Sequence, residues 1–141
     1  MSKGIVRVKP TITSRPHMGQ VILTEVDPNG LNLVQGSPVD FNDNPPLTVN
    51  VGDIVECTLK SKTECTVTRV VGTAVMAQGT VTQGQIKITT ESNPNPCNVK
   101  VGSKLDFNID PLMGSLKDGD TVECLPFSAT RCDVTNILTH A

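Results

Sequence analysis

A chain of 141 residues is long enough for one ordinary domain or two very small ones, and 37% hydrophobic residues with 11 glycines suit a packed core. Three Phe, no Tyr and no Trp leave little for a function built on aromatic stacking, and a formal charge of −2 gives no overall basic footprint for nucleic acid or an anionic membrane. No stretch has the apolar length of a membrane span, the N-terminus lacks the apolar run of a signal peptide, and five cysteines without such a signal favour free thiols in a reducing compartment.

Residues 1–17, MSKGIVRVKPTITSRPH, carry Lys3, Arg7, Lys9 and Arg15 and no acidic residue. Val6 and Val8 alternate with Arg7 and Lys9 as in an edge strand, and Pro10 and Pro16 then hold the chain extended. Such a segment is either a first strand lying on the domain that follows, or an arm that docks on a partner. The expectation is a basic arm whose Val6, Arg7, Val8, Lys9 and Arg15 meet a partner, because it lies outside the repeat that begins next.

From Gly19 the chain is written twice. Gly19, Gln20, Thr24, Gly36, Ser37, Asp40, Phe41 and Asn42 return as Gly84, Gln85, Thr89, Gly102, Ser103, Asp106, Phe107 and Asn108. GDIVECTLKSKTECTVTRV at 52–70 then returns as GDTVECLPFSATRCDVTNI at 119–137. This is a tandem duplication. The predicted organisation is an arm over 1–17, a first repeat over 18–72, a connector over 73–82 and a second repeat over 83–141. Each copy reads as β: QVILT and QIKIT alternate, LNLV and CNVKV alternate again, and DIVECTL with CTVTRVV forms a hairpin. Asp27-Pro28-Asn29-Gly30, Gly36-Ser37, Asn44-Pro45-Pro46 and Gly52-Asp53 punctuate them, and ten prolines argue against substantial helix. Five or so short strands per copy suit a small antiparallel barrel.

The order of a glycine-led strand, NGLNLV, GSPVDFN and VGDIVEC…CTVTRVV resembles a cold-shock domain, a five-strand barrel of the OB type. The resemblance implies an all-β fold of two tandem OB-like barrels and, with it, single-stranded nucleic acid as a ligand. The binding face departs from that family. Leu31 and Leu33, then Cys97 and Val99, stand where its first motif has aromatics, and Asp40, Asn42, Asp106 and Asn108 stand at stacking positions of its second. Stacking contributes about 1–3 kcal/mol per base in such sites, and a carboxylate in its place repels phosphate. Asn32, Asp40, Asn42, Asn98, Asp106 and Asn108 are therefore expected on an exposed barrel face that carries the fold without the nucleic-acid function.

Alternation turns Val55, Cys57 and Leu59 to one face of the hairpin, with Cys65 and Val67 continuing it. Three readings of the thiols stay open: core packing, a cross-strand disulfide, and metal. Zinc wants about four ligands with close knuckles, and these pairs are seven residues apart internally. Cys97 aligns with Leu31, a plain hydrophobe, so Cys57, Cys65, Cys97, Cys124 and Cys132 are expected as core thiols. His17 and His140 lie outside the repeat, which leaves no thiol with a repeated base.

Asp40-x-Asn42-x-Asn44 and Asp106-x-Asn108-x-Asp110 open like a calcium loop. Pro45 and Pro111 stand at the obligatory glycine, however, and Val51 and Lys117 stand at the closing glutamate. A turn whose Asp and Asn side chains bond local backbone N–H groups is the expected use. Glu56 and Glu123 read as solvated sheet face, and no phosphate loop or nucleophile elbow is present. The expectation is a non-enzymatic chain without metal or cofactor and with no membrane role. It would be a structural or assembly module joined to a protein partner or to its own copies, made in a cytoplasm and suited to a virus particle. A single-stranded nucleic-acid binder and an acidic mimic of nucleic acid are the rival readings.

Overall fold

A computed structural model describes residues 2–8, 18–28, 31–42 and 49–141. The chain divides into two compact units, Met1–Ala74 and Val75–Ala141. In the first, β1 (Ser2–Val8), β2 (Met18–Glu25), β3 (Pro38–Asn42), β4 (Asp53–Leu59) and β5 (Glu64–Thr73) close into a five-strand barrel in the order β1-β2-β3-β5-β4 and back to β1. In the second, β6 (Ala77–Thr82), β7 (Gln85–Thr90), β8 (Lys104–Asn108), β9 (Thr121–Pro126) and β10 (Arg131–Thr139) form a ring in the order β6-β7-β8-β10-β9. Every pairing is antiparallel except β3 with β5 and β8 with β10. Among the described residues the helical content is one 3-10 turn, Pro111–Met113.

These boundaries differ from the sequence expectation at two places. Residues 2–8 are no separate arm: β1 lies between β2 and β4 and completes the first barrel. The supposed connector over 73–82 supplies β6, which completes the second ring in the same way. The two strands are counterparts. Ser2 faces Cys57 and Gly4 faces Val55, while Ala77 faces Cys124 and Gly79 faces Val122. On their other edges Gly4 pairs with Leu23 and Gly79 with Ile88. Register carries the repeat into a stretch where sequence identity has faded to Gly4/Gly79 and Val6/Val81.

Bulges recur as well. Thr68 and Val71 drop out of the β4–β5 ladder, and Thr135 and Leu138 drop out of the β9–β10 ladder. An extra residue bends its strand and increases local twist, which a short strand needs to curl around so small a ring. Each unit packs its own centre. Val6, Val21, Leu23, Val39, Phe41, Val49, Val55, Cys57, Cys65 and Val67 form the first core, and Ala77, Val81, Ile86, Ile88, Val99, Leu105, Val122, Cys124, Cys132 and Val134 form the second. The glycine entering each hairpin is held at positive φ, 95° at Gly52 and 93° at Gly119, where a side chain would be strained. Its N–H donates to Val6 O in one unit and to Val81 O in the other, at 2.9 Å in both.

Candidate functional site

The hairpin register explains where the thiols meet. Cys57 lies opposite Val67 and Cys65 opposite Leu59, so the two cysteines are diagonal neighbours on the inward face. The second hairpin repeats this, with Cys124 opposite Val134 and Cys132 opposite Pro126. All four side chains are fully buried. Interaction with the neighbouring thiol of the same hairpin, and then burial, hold Cys65 and Cys132 far above the usual thiol range. All five cysteines are free. Cys97 is half-buried against the second core, its Sγ lies 3.8 Å from Pro126 O, and burial pushes its thiol up. Among the described residues no group of three or more His, Cys, Asp or Glu is arranged to hold a metal ion.

The polar residues expected on one exposed barrel face separate into two kinds. Asp40 and Asn42 on β3 are half-buried, while Asp106 and Asn108 on β8 are exposed. Gln85 Nε2 donates to Asp106 Oδ1 at 3.0 Å, and Arg131 Nη2 donates to Asn108 Oδ1 at 3.1 Å. Asn108 Nδ2 in turn donates to Asp133 Oδ1 at 3.3 Å. Asn32 and Asn98 lie on no strand. They sit at φ 59° and 57° in the connections β2–β3 and β7–β8, a left-handed conformation that asparagine tolerates better than most residues. The neighbouring Leu33 packs against the first core and Val99 lies within the second. Phe41 is fully buried, Phe107 packs on the second core and Phe127 is half-buried, so no phenyl ring stands out as a stacking platform.

Of the expected arm residues, Val6 is in the first core and Arg7 Nη1 donates to Gln20 Oε1 at 2.5 Å. Val8 is 46% exposed, whereas Lys9 and Arg15 lie outside the described residues, as do His17, Asn44 and Pro45. In the second copy of the calcium-like stretch, Asp110 Oδ1 accepts from Leu112 N–H at 2.9 Å and caps the 3-10 turn. Glu56 pairs with Arg69 at 2.7 Å, and this hydrogen bond lowers its carboxyl below the ordinary range.

Two features escaped the sequence reading. The first is a set of exposed valines near where β1 finishes, β4 starts and β5 finishes: Val8, Val51, Val70 and Val71 are each 39–46% exposed. The counterparts of Val8 and Val51 are Gln83 and Asp118, and there the Gln83 N–H donates to Asp118 Oδ1 at 3.0 Å. The signal was available in the repeat itself, as a valine pair aligned with a polar pair, once β1 is aligned with β6. The second is Asp120. Its side chain is fully buried and accepts from Lys117 N–H at 3.0 Å and Ala141 N–H at 2.7 Å, with His140 Nδ1 at 3.3 Å. These backbone bonds, Lys117 first, lower its carboxyl. Its counterpart Asp53 accepts from Asn50 N–H at 2.8 Å and is only half-buried. No protein-family model matches the chain, and no curated protein or solved structure is significantly similar to it.

Proposed function

We propose that the chain is a non-enzymatic structural or assembly module that joins a protein partner through the aliphatic end of its first barrel. The observation that carries this reading is the contrast between copies. One duplicated unit exposes Val8 and Val51 where the other has a hydrogen-bonded Gln83–Asp118 pair. Exposed aliphatic side chains at one end of a barrel favour an apolar protein surface as their occupant. Both units share the strand order and the single parallel closure of an OB-type barrel, and this supports the fold half of the cold-shock resemblance. The ligand half lacks similar support, because the phenyl rings are turned inward and the outer polar groups of β8 are engaged with one another.

The test is a native mass measurement on material from the natural source, repeated with a chain carrying Val8→Gln and Val51→Asp. These replacements install the residues of the second copy. A defined assembly that the double variant no longer joins, with its β circular dichroism intact, supports the module. A wild-type chain recovered alone, or with nucleic acid that salt releases, overturns it.

A further inference from the structure

We propose that a row of alternating charge on the outside of the first ring locks its closing strand β1, so that closure of this ring depends on ionic strength and closure of the second does not. The row crosses four adjacent strands. Lys3 on β1 stands opposite Glu25 on β2 and opposite Glu56 on β4, and Glu56 stands opposite Arg69 on β5. Lys3 Nζ lies 3.7 Å from Glu25 Oε2, and Arg69 Nη2 lies 2.7 Å from Glu56 Oε1. The two inner charges, Lys3 and Glu56, each have a residue of opposite sign on both sides. Glu56 is the least exposed of the four, its side chain 15% accessible, and Arg69 first and Lys3 after it lower its carboxyl.

The duplication supplies the comparison. Strand β6 closes the second ring in the same register, with Gln78 opposite Thr90 and Glu123, and Glu123 opposite Asn136. That row holds a single charge, and Asn136 Nδ2 donates to Glu123 Oε1 at 3.3 Å. On the inward side the two closing strands agree, Gly4 with Gly79 and Val6 with Val81, so those positions do not set the two closures apart. Between the charges and the inward face lies one more difference. Ile5 is fully buried and pairs with Ile22 and Ile54, where Thr80 pairs with Lys87 and Thr121. Apolar burial is not weakened by salt, so the salt-sensitive share of closure falls to the charge row.

An isolated exposed ion pair contributes little, whereas a network of several charges is the arrangement in which such pairs count. The reach of a charge shrinks from about 30 Å at roughly 0.01 M salt to about 3 Å at roughly 1 M. Added salt therefore loosens β1 from β2 and from β4 together. Opening at this seam bares one edge of each neighbour.

The test is amide hydrogen exchange on the full-length chain in sodium chloride at about 20 mM and about 0.5 M, with β6 and β9 as the internal reference for β1 and β4. The higher salt should speed exchange in β1 and β4 by about threefold to tenfold relative to that reference. Lys3→Gln should abolish the difference. Lys3→Glu sets like charges side by side, so its first ring should exchange faster at low salt and slow down as salt is raised, the reverse of the parent. Gln78→Lys with Thr90→Glu and Asn136→Arg writes the row into the second ring and should give β6 and β9 the salt response. Where Lys3→Glu does not fold, Lys3→Gln decides. Equal salt responses of the two rings in the parent chain, or a Lys3→Gln chain that keeps the parent's response, would each overturn the proposal.

Discussion

A methyl group added at Gly79 would sit 2.4 Å from Ile86 Cγ2 and 2.7 Å from the Lys87 carbonyl oxygen, both of them atoms of the neighbouring strand β7. Backbone on that side cannot move without opening the ring. Gly79→Ala should therefore destabilise the second unit by about 1–3 kcal/mol, the usual cost of overpacking. Gly72→Ala is the matched control, since its nearest neighbour is Ile54 Cδ1 at 3.9 Å. Urea midpoints of the two variants check this, and equal shifts would refute the steric account. Asp120 supplies a residue-scale test in pH. Its folded pKa is lowered by the Lys117 and Ala141 N–H groups, so its stabilisation is present above the unfolded carboxylate range and is lost as pH falls through its folded value. Asp120→Asn should be less stable than the parent at neutral pH, and the two stabilities should converge in acid. A gap that stayed constant across the acid range would show that the carboxylate's charge is not the stabilising element. The inward face of the hairpins was legible because alternation is a local property. Asp120's burial was not, since it depends on His140 and Ala141 returning from 20 or more positions away.

At the scale of elements, alternation and the duplication made six of the ten strands readable, β2, β4, β5, β7, β9 and β10, whereas LNLV and CNVKV, also read as strands, lie outside every strand. Residues 1–17 were read as an extended arm and residues 73–82 as a connector, because the partner of a strand is written in its ladder and not in its own composition. The basic character of residues 1–17 drew attention to a docking role, while the inward alternation of Gly4 and Val6 went unused. Pairing supplies the missing information: β1 satisfies backbone groups on both β2 and β4 and buries Ile5 and Val6 completely. Deleting residues 1–8 would open the ring and leave two strand edges bare. We expect the truncated chain to lose the first unit's dispersed amide resonances while those of residues 75–141 persist. Persistence of both sets would mean that β1 is dispensable, and loss of both would mean that folding is not separable by unit.

For the whole molecule, the decisive property is that closure happens twice. Among the described residues, every strand-to-strand pairing connects elements within the same unit, and each core draws its members from one unit alone. Among these residues each ring closes on its own strands and satisfies its own ladders. The opposing consideration is size. A domain of roughly 60–70 residues buries only about 60% of the surface its unfolded chain exposes, and its net stability is correspondingly small. With aromatics scarce, the cores rely mostly on aliphatic side chains and thiols, which bury less area per residue, with Phe41 inside the first and Phe107 packed on the second. Closure without free edges and short antiparallel connections favour the native ring, whereas the thin core limits how much disruption it tolerates. The balance predicts that the chain can be cut between Ala74 and Val75, the boundary of the two units. Expressed separately, residues 1–74 and 75–141 should each give β circular dichroism, dispersed amide spectra and a cooperative but low-melting transition. Halves that stay unfolded when separate, yet fold when mixed, would show that ring closure alone does not make either unit autonomous.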